Sequence, residues 1–160
     1  MLGGIEMVAV HIKRLNIVNI VIYRPPDAVT QQFYNVLEKV DDLLKSVNKP
    51  EPTVIISGDF NFPFIRWVRG SDNGCRWEKK KNYGTTNGMK SQFNKLIDVM
   101  DNHALVQMVE EPTRKENTLD LVFTNNVNMF TNIDVTGSSM SDHKLVELTT
   151  NIVNSVAQRK

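Results

Sequence analysis

Two apolar-rich runs open the chain. "IEMVAVHI" (Ile5 to Ile12) and "NIVNIVIYRPP" (from Asn16) are dense in β-favouring residues, and they predict adjacent antiparallel strands turning near Lys13 to Asn16. Pro25 and Pro26 end the second, because neither can donate to a sheet ladder. The pattern then changes period. Phe33, Leu37, Val40, Leu44 and Val47 recur every three or four residues and predict a helix with one apolar stripe, Thr30 serving as its N-cap. After the breaker "NKPEP", the run "TVIISGD" predicts a strand buried on both faces. Residues 62 to 83 mix turn residues, charges and two tryptophans, and read as a long surface loop. Met89, Phe93, Leu96, Ile97 and Met100 mark a second helix over Asn87 to His103. Strands are expected at Leu105 to Val109, Thr118 to Thr124 and Lys144 to Ile152. Strands interleaved with two amphipathic helices give an α/β layering of the α+β sandwich type, with the helices covering a mixed or mainly antiparallel sheet.

Length and composition narrow the picture. A chain of 160 residues is read as one domain, 1–160. Its formal charge of +1 offers no global attraction for nucleic acid or membrane, so a polyanion-binding role has to come from a local patch. Cys75 is the single cysteine, which excludes an intramolecular disulfide and a thiolate zinc site. No run is long and apolar enough for a membrane span, and the first residues lack the form of a secretory signal. A nuclear or cytoplasmic protein that is not secreted is the expectation.

The candidate chemistry sits at strand ends, where loops can gather polar groups on one rim. Tyr23 and Arg24 lie in "IYRPP", Asp59 and Asn61 in "GDFN", Asp120 in "NTLDLVFTN", and Asp142 and His143 in "SMSDHKL". Asp120 is the most informative. A carboxylate in an apolar strand costs several kcal/mol unless it is partnered, and His143 is the natural partner, since a carboxylate fixes the tautomer of an imidazole. Taken one at a time, each feature has an ordinary structural account. "SGD" serves as a turn, "SDH" as a polar connection, and Tyr23 as a core aromatic with its hydroxyl at the rim.

In this order, "IYRPP", "GDFN", "TLDLVFTN" and "SDH" resemble the endonuclease/exonuclease/phosphatase superfamily. The fuller phrases "DFNFP.I.W" and "EEPTR…NTLDLVFTN" resemble the endonuclease domain that precedes the reverse transcriptase in animal non-LTR retrotransposons. The likeness covers nearly all of residues 5 to 150. It implies metal-dependent hydrolysis of phosphodiester bonds in DNA, with Mg²⁺ or Mn²⁺ as cofactor and a reverse transcriptase domain in the parent polyprotein as partner. By that resemblance Asp59 orients and deprotonates water beside Asn61. Asp142 is a metal ligand, with Asp59 and Asn61 contributing to the metal shell. His143, oriented by Asp120, donates to a non-bridging oxygen, and Tyr23 bonds the same phosphate. Arg24 is assigned to backbone contact. Between Arg66 and Lys81 the charges sum to +4, and Arg66, Arg69, Arg76 and Lys79 are the expected DNA contacts, with Trp67 and Trp77 available for stacking or for anchoring the loop.

The chain also departs from the family pattern. The superfamily fold is a sandwich of two similar sheets whose first half supplies an asparagine and a metal-binding glutamate, and that half is expected to be missing here. Glu6 has the wrong strand context to replace the glutamate, and Pro26 stands where some relatives carry a polar residue. The remaining sheet should therefore expose an apolar face, and metal affinity should be low. Two other functions fit the same motifs: an inactive remnant that at most binds nucleic acid through the 66–81 segment, and a phosphatase or nuclease acting on another phosphoester.

Overall fold

The computed structural model describes residues 4–47, 50–71, 73–81 and 83–151. Strands β1 (Glu6–Ile12) and β2 (Ile17–Tyr23) form the expected hairpin, and helix α1 (Thr30–Ser46) follows. Strand β3 (Thr53–Asp59) runs parallel to β2, the arrangement that a helical crossover permits. Next come β4 (Ile65–Arg69), β5 (Cys75–Lys79), helix α2 (Asn87–Asn102), β6 (Val106–Gln107) and β7 (Asp120–Thr124). These seven strands make one sheet in the order β1-β2-β3-β7-β6-β5-β4, in which every pairing but β2–β3 is antiparallel. Strands β8 (Phe130–Thr136) and β9 (Leu145–Thr150) form a separate two-stranded sheet. The mixed sheet flanked by two helices is the α/β layering that the periodicity predicts. Ile152, at the end of the last predicted strand, lies outside the described residues. No helix among the described residues is long and apolar enough to cross a membrane.

Both helices lie on one face of the large sheet. Phe33, Leu37 and Val40 of α1 and Phe93, Leu96 and Met100 of α2 close over Val18, Ile20, Ile22, Val54, Ile56, Leu121 and Phe123. Thr30 does not cap α1. Val29 occupies that position, and the Thr30 hydroxyl instead accepts a hydrogen bond from Gln92 Nε2 at 3.0 Å. At α2 it is Thr86 that caps, accepting from the Met89 amide at 3.1 Å.

The segment expected to be a surface loop is a hairpin, β4–β5, on the edge of the sheet. Its charges mask an alternation that register reveals. Trp67 faces Trp77 across the pair, while Arg66 faces Glu78. Trp67 is buried against Phe93 and Phe123, so it anchors the core and offers nothing to solvent. Phe60, Phe62 and Phe64 are buried as well, with Phe62 edge-on to Phe93 at 5.3 Å between centroids. Each buried phenylalanine contributes about 1.5–3 kcal/mol. These three side chains pin the chain on either side of Asn61, so the polar turn after β3 is held from beneath by aromatic packing.

The opposite face is covered unevenly. The β8–β9 sheet packs on Met108, Val109 and Val122, with Ile55 and Val106 beside them. The β1–β2 end of the same face is bare: Val8, Val10, Ile12, Val21 and Tyr23 are each more than two-fifths exposed. The expected apolar face is therefore present. The hydrophobic pattern does not predict β8, because "FTNIDVT" buries only one half-covered face and its asparagine and threonines mask the alternation.

Candidate active site

Register places two carboxylates side by side. Asp59, the last residue of β3, pairs directly with Asp120, the first residue of β7, so both side chains leave the same face of the sheet. His143 closes the group from the loop before β9. Its Nδ1 lies 2.9 Å from Asp120 Oδ2, and its Nε2 lies 3.9 Å from Asp59 Oδ2. The short contact assigns the Nδ1 proton to the Asp120 side and leaves Nε2 facing Asp59. All three side chains are about one-fifth exposed, enough for a ligand to reach them and little enough to weaken screening by water.

Burial shapes the electrostatics. Removal from water, then the neighbouring Asp120, raises the Asp59 carboxyl to about 6, against opposing contributions from His143 and Asn61. Two acids so close are an excess of negative charge that a divalent cation would relieve. One donor atom from each of Asp59, Asp120 and His143 lies within 4.8 Å of the others, so the donor set fits such an ion in charge and in oxygen content. A pH dependence follows. The Asp59 contribution to stability is full below its ordinary value of 3.8 and is lost as pH rises through about 6. In metal-free buffer the chain should lose on the order of 2 kcal/mol between pH 4 and pH 7 from this group. Urea unfolding of Asp59→Asn in parallel isolates that contribution, because the variant should lack this component of the slope. Equal slopes for the two proteins would refute the assignment.

The turn after Asp59 is held by an unexpected residue. Arg24 is fully buried, and its Nη1 donates to the Phe60 and Asn61 carbonyls, each at 3.2 Å. Its Nε donates to Gln92 Oε1 at 2.7 Å, and the guanidinium lies 4.3 Å from the Phe62 ring centroid. Asn61 returns the contact, its Nδ2 donating to the Arg24 carbonyl at 2.9 Å while its backbone amide donates to Asp59 Oδ1 at 3.1 Å. Arg24 thus has no surface to offer a DNA backbone. Its expected role in backbone contact is corrected to a structural one: the arginine fastens "GDFN" to the end of β2. With φ of 50°, Asn61 itself occupies the left-handed region that asparagine tolerates.

Thr113, the threonine of the "EEPTR" phrase, performs the corresponding task across the site, a role the sequence reading does not assign it. Its hydroxyl accepts from the Leu119 and Asp120 amides at 3.0 and 3.1 Å, and its carbonyl accepts from the Lys144 amide at 2.7 Å. One buried threonine therefore ties the start of β7 to the residue after His143. Asp142 is not drawn in. It is exposed, and its Oδ2 accepts from Arg114 Nε and Nη2, both at 2.7 Å, which lowers its carboxyl below the usual range. Tyr23 ends β2 on the same face as Asp59, opposite Glu6 on β1, and is about two-fifths exposed. Of the expected DNA contacts, Arg66, Arg69, Arg76 and Lys79 are all exposed along the β4–β5 hairpin, but register divides them between its two faces. Arg69 is further engaged by Glu110 at 3.5 Å.

Residues 17–147 match the family model described as endonuclease-reverse transcriptase. No curated protein matches the chain. Among solved structures, the chain is similar to the endonuclease domain of TRAS1, a telomere-specific non-LTR retrotransposon, with a TM-score of 0.55 and 15% identity. That likeness covers 88% of this chain and 58% of the solved one, so the chain spans somewhat over half the length of that domain.

Proposed function

The chain belongs to the endonuclease-reverse transcriptase family, and from that premise we propose that it is the metal-dependent endonuclease part of a retroelement, nicking DNA to leave a 3′ hydroxyl for a reverse transcriptase to extend. The observation that carries the reading is His143, held by Asp120 on one nitrogen and turned toward Asp59 with the other. Held in this way, the imidazolium can donate from Nε2 to a non-bridging phosphoryl oxygen as charge develops there. Asp59, facing that nitrogen, would accept the proton of an attacking water. Tyr23, on the same face, would bond the phosphate. Asp59, with Asn61 beside it, is the donor that would hold Mg²⁺ or Mn²⁺, Asp120 being engaged by the His143 ring, and the ion would supply Lewis acidity to the phosphoryl group. Asp142 joins them only by leaving Arg114.

Residues 1–160 act on this reading as one unit of a two-sheet fold, and the bare β1–β2 face is where further strands would lie. A second reading has its own support. Asp142 paired to Arg114 and outside the three-residue group suits a remnant that binds nucleic acid without cutting it. Supercoiled plasmid with Mg²⁺ separates the two. The active reading expects conversion to open circles, reduced at least about a hundredfold by Asp59→Ala. Intact plasmid, or nicking that survives the substitution, would establish the inactive reading or a contaminating nuclease.

A further inference from the structure

Among the described residues, Arg24 is the only charged side chain that is fully buried. Its Nε and Nη1 are bonded, but Nη2 has no hydrogen-bond partner among those residues. A buried guanidinium left partly unpaired costs stability, and an unbranched apolar side chain would pack against Phe33 and Phe62 without that cost. The arginine is therefore explained by what it holds in place, not by what it adds to the core. Its own orientation depends on Gln92, which stands three residues after Met89 and four before Leu96, on the apolar face of α2, and is buried there. Gln92 Oε1 accepts from Arg24 Nε at 2.7 Å, and its Nε2 donates to the Ala28 carbonyl and the Thr30 hydroxyl, each at 3.0 Å. One carboxamide thereby grips both ends of the connection from β2 to α1.

We propose that Gln92 is a positioning residue, which acts through Arg24 to set the turn that presents Asp59. The guanidinium is planar, so fixing Nε aims Nη1 at the Phe60 and Asn61 carbonyls. Asn61 then passes the constraint on, its amide donating to Asp59 Oδ1 and its Nδ2 to the Arg24 carbonyl. A continuous chain of hydrogen bonds thus runs from a helix on the covered face of the sheet to a carboxylate on its rim. Its catalytic consequence rests on the phosphodiesterase reading, whereas the placement of the turn can be measured without chemistry.

Amide hydrogen exchange, followed by NMR in metal-free buffer, reads the turn directly. Its reporters are the Asn61 amide, bonded to Asp59 Oδ1, and the Arg24 amide, bonded to the Asp59 carbonyl. Gln92→Leu should speed both by about tenfold or more, the effect of losing one hydrogen bond to a charged group, while amides at Ile20 and Ile56 in the central ladder keep their rates. Gln92→Glu retains an acceptor for Arg24 Nε and should stay within about threefold of the native rates. Arg24→Met combined with Gln92→Leu separates position from stability. With the orphaned guanidinium gone, its urea midpoint should lie above that of Gln92→Leu, yet the Asn61 amide should still exchange fast. Rates unchanged by Gln92→Leu overturn the proposal. Faster exchange shared equally by Ile20 and Ile56 does so too, as does recovery of the Asn61 amide along with stability in the double variant. On supercoiled plasmid, Gln92→Leu should lower kcat by about tenfold or more with KM little changed, because the turn carries the water-handling acid. Fast exchange at Asn61 with kcat intact would also overturn it. A native chain that does not nick would instead end the phosphodiesterase reading, and the exchange rates would still decide whether Gln92 sets the turn.

Discussion

His143→Ala is expected to lower the nicking rate by about 10²- to 10³-fold, the range in which loss of one oriented donor to a developing oxyanion falls. The imidazole has no competing structural duty. Only its Nδ1 is engaged at short range, by Asp120, and its ring is not part of either hydrophobic cluster. Unfolding should therefore move little while the rate collapses. Asp120→Asn refines the argument, because the carboxamide can still accept from Nδ1 but, uncharged, holds the ring by a weaker hydrogen bond. Its effect should be smaller, and the double variant should be little worse than His143→Ala alone, since Asp120 is assigned its role through the ring. Full additivity of the two effects would show that Asp120 acts independently, as a metal donor for example. A His143→Ala chain that nicks within about threefold of the native rate would end the assignment altogether.

The residues in that prediction are also the ones most legible in the amino-acid sequence. Asp59, Asp120 and His143 stand out because their types and order carry the information: an acid ending an apolar run, an acid inside another, which the structure places at its first residue, and an imidazole before a third. Register then does the rest, since Asp59 and Asp120 are direct partners across β3 and β7. The supporting residues lie in quoted phrases, but their roles are hidden for physical reasons. An arginine in sequence reads as surface, and nothing in "IYRPP" announces that Arg24 lies in a cage of carbonyls and aromatic rings. Thr113 sits in a connection whose value is tertiary, joining distant segments through one hydroxyl and one carbonyl. Adjacency to His143 makes Asp142 look like a partner in the same site, but the chain bends at these two residues, and Arg114 holds Asp142 outside the group.

The fold is legible wherever one period dominates. Both helices and the first hairpin announce themselves, while β4–β5 does not, because its outward positions carry Arg66, Glu78 and Arg76 and its turn is polar. Charge on the exposed face of an edge strand is the usual protection against edge-to-edge association, so the feature that disguises the hairpin has its own purpose. The other edge lacks that protection: Val8, Val10 and Ile12 are exposed on β1.

Gly58→Ala should cost at least about 3 kcal/mol and move Asp59 as well. The residue sits inside β3, immediately before the acid, and in sequence it passes for the start of a turn. Its φ of 141° belongs to a region that essentially only glycine occupies, and a Cβ at this position would overlap the backbone carbonyl of Ile22 on β2. Neither problem has a flexible side chain to absorb it. Relief requires β2 and β3 to part at the point where the Arg24 amide donates to the Asp59 carbonyl at 2.8 Å, so the strain passes directly into the turn that holds the site. The expected outcome is a large fall in the urea midpoint together with loss of nicking, even where enough folded protein remains to assay. Stability within about 1 kcal/mol of the native chain would mean that β2 and β3 separate freely there, and the close approach could no longer be what fixes Asp59 beside Asp120.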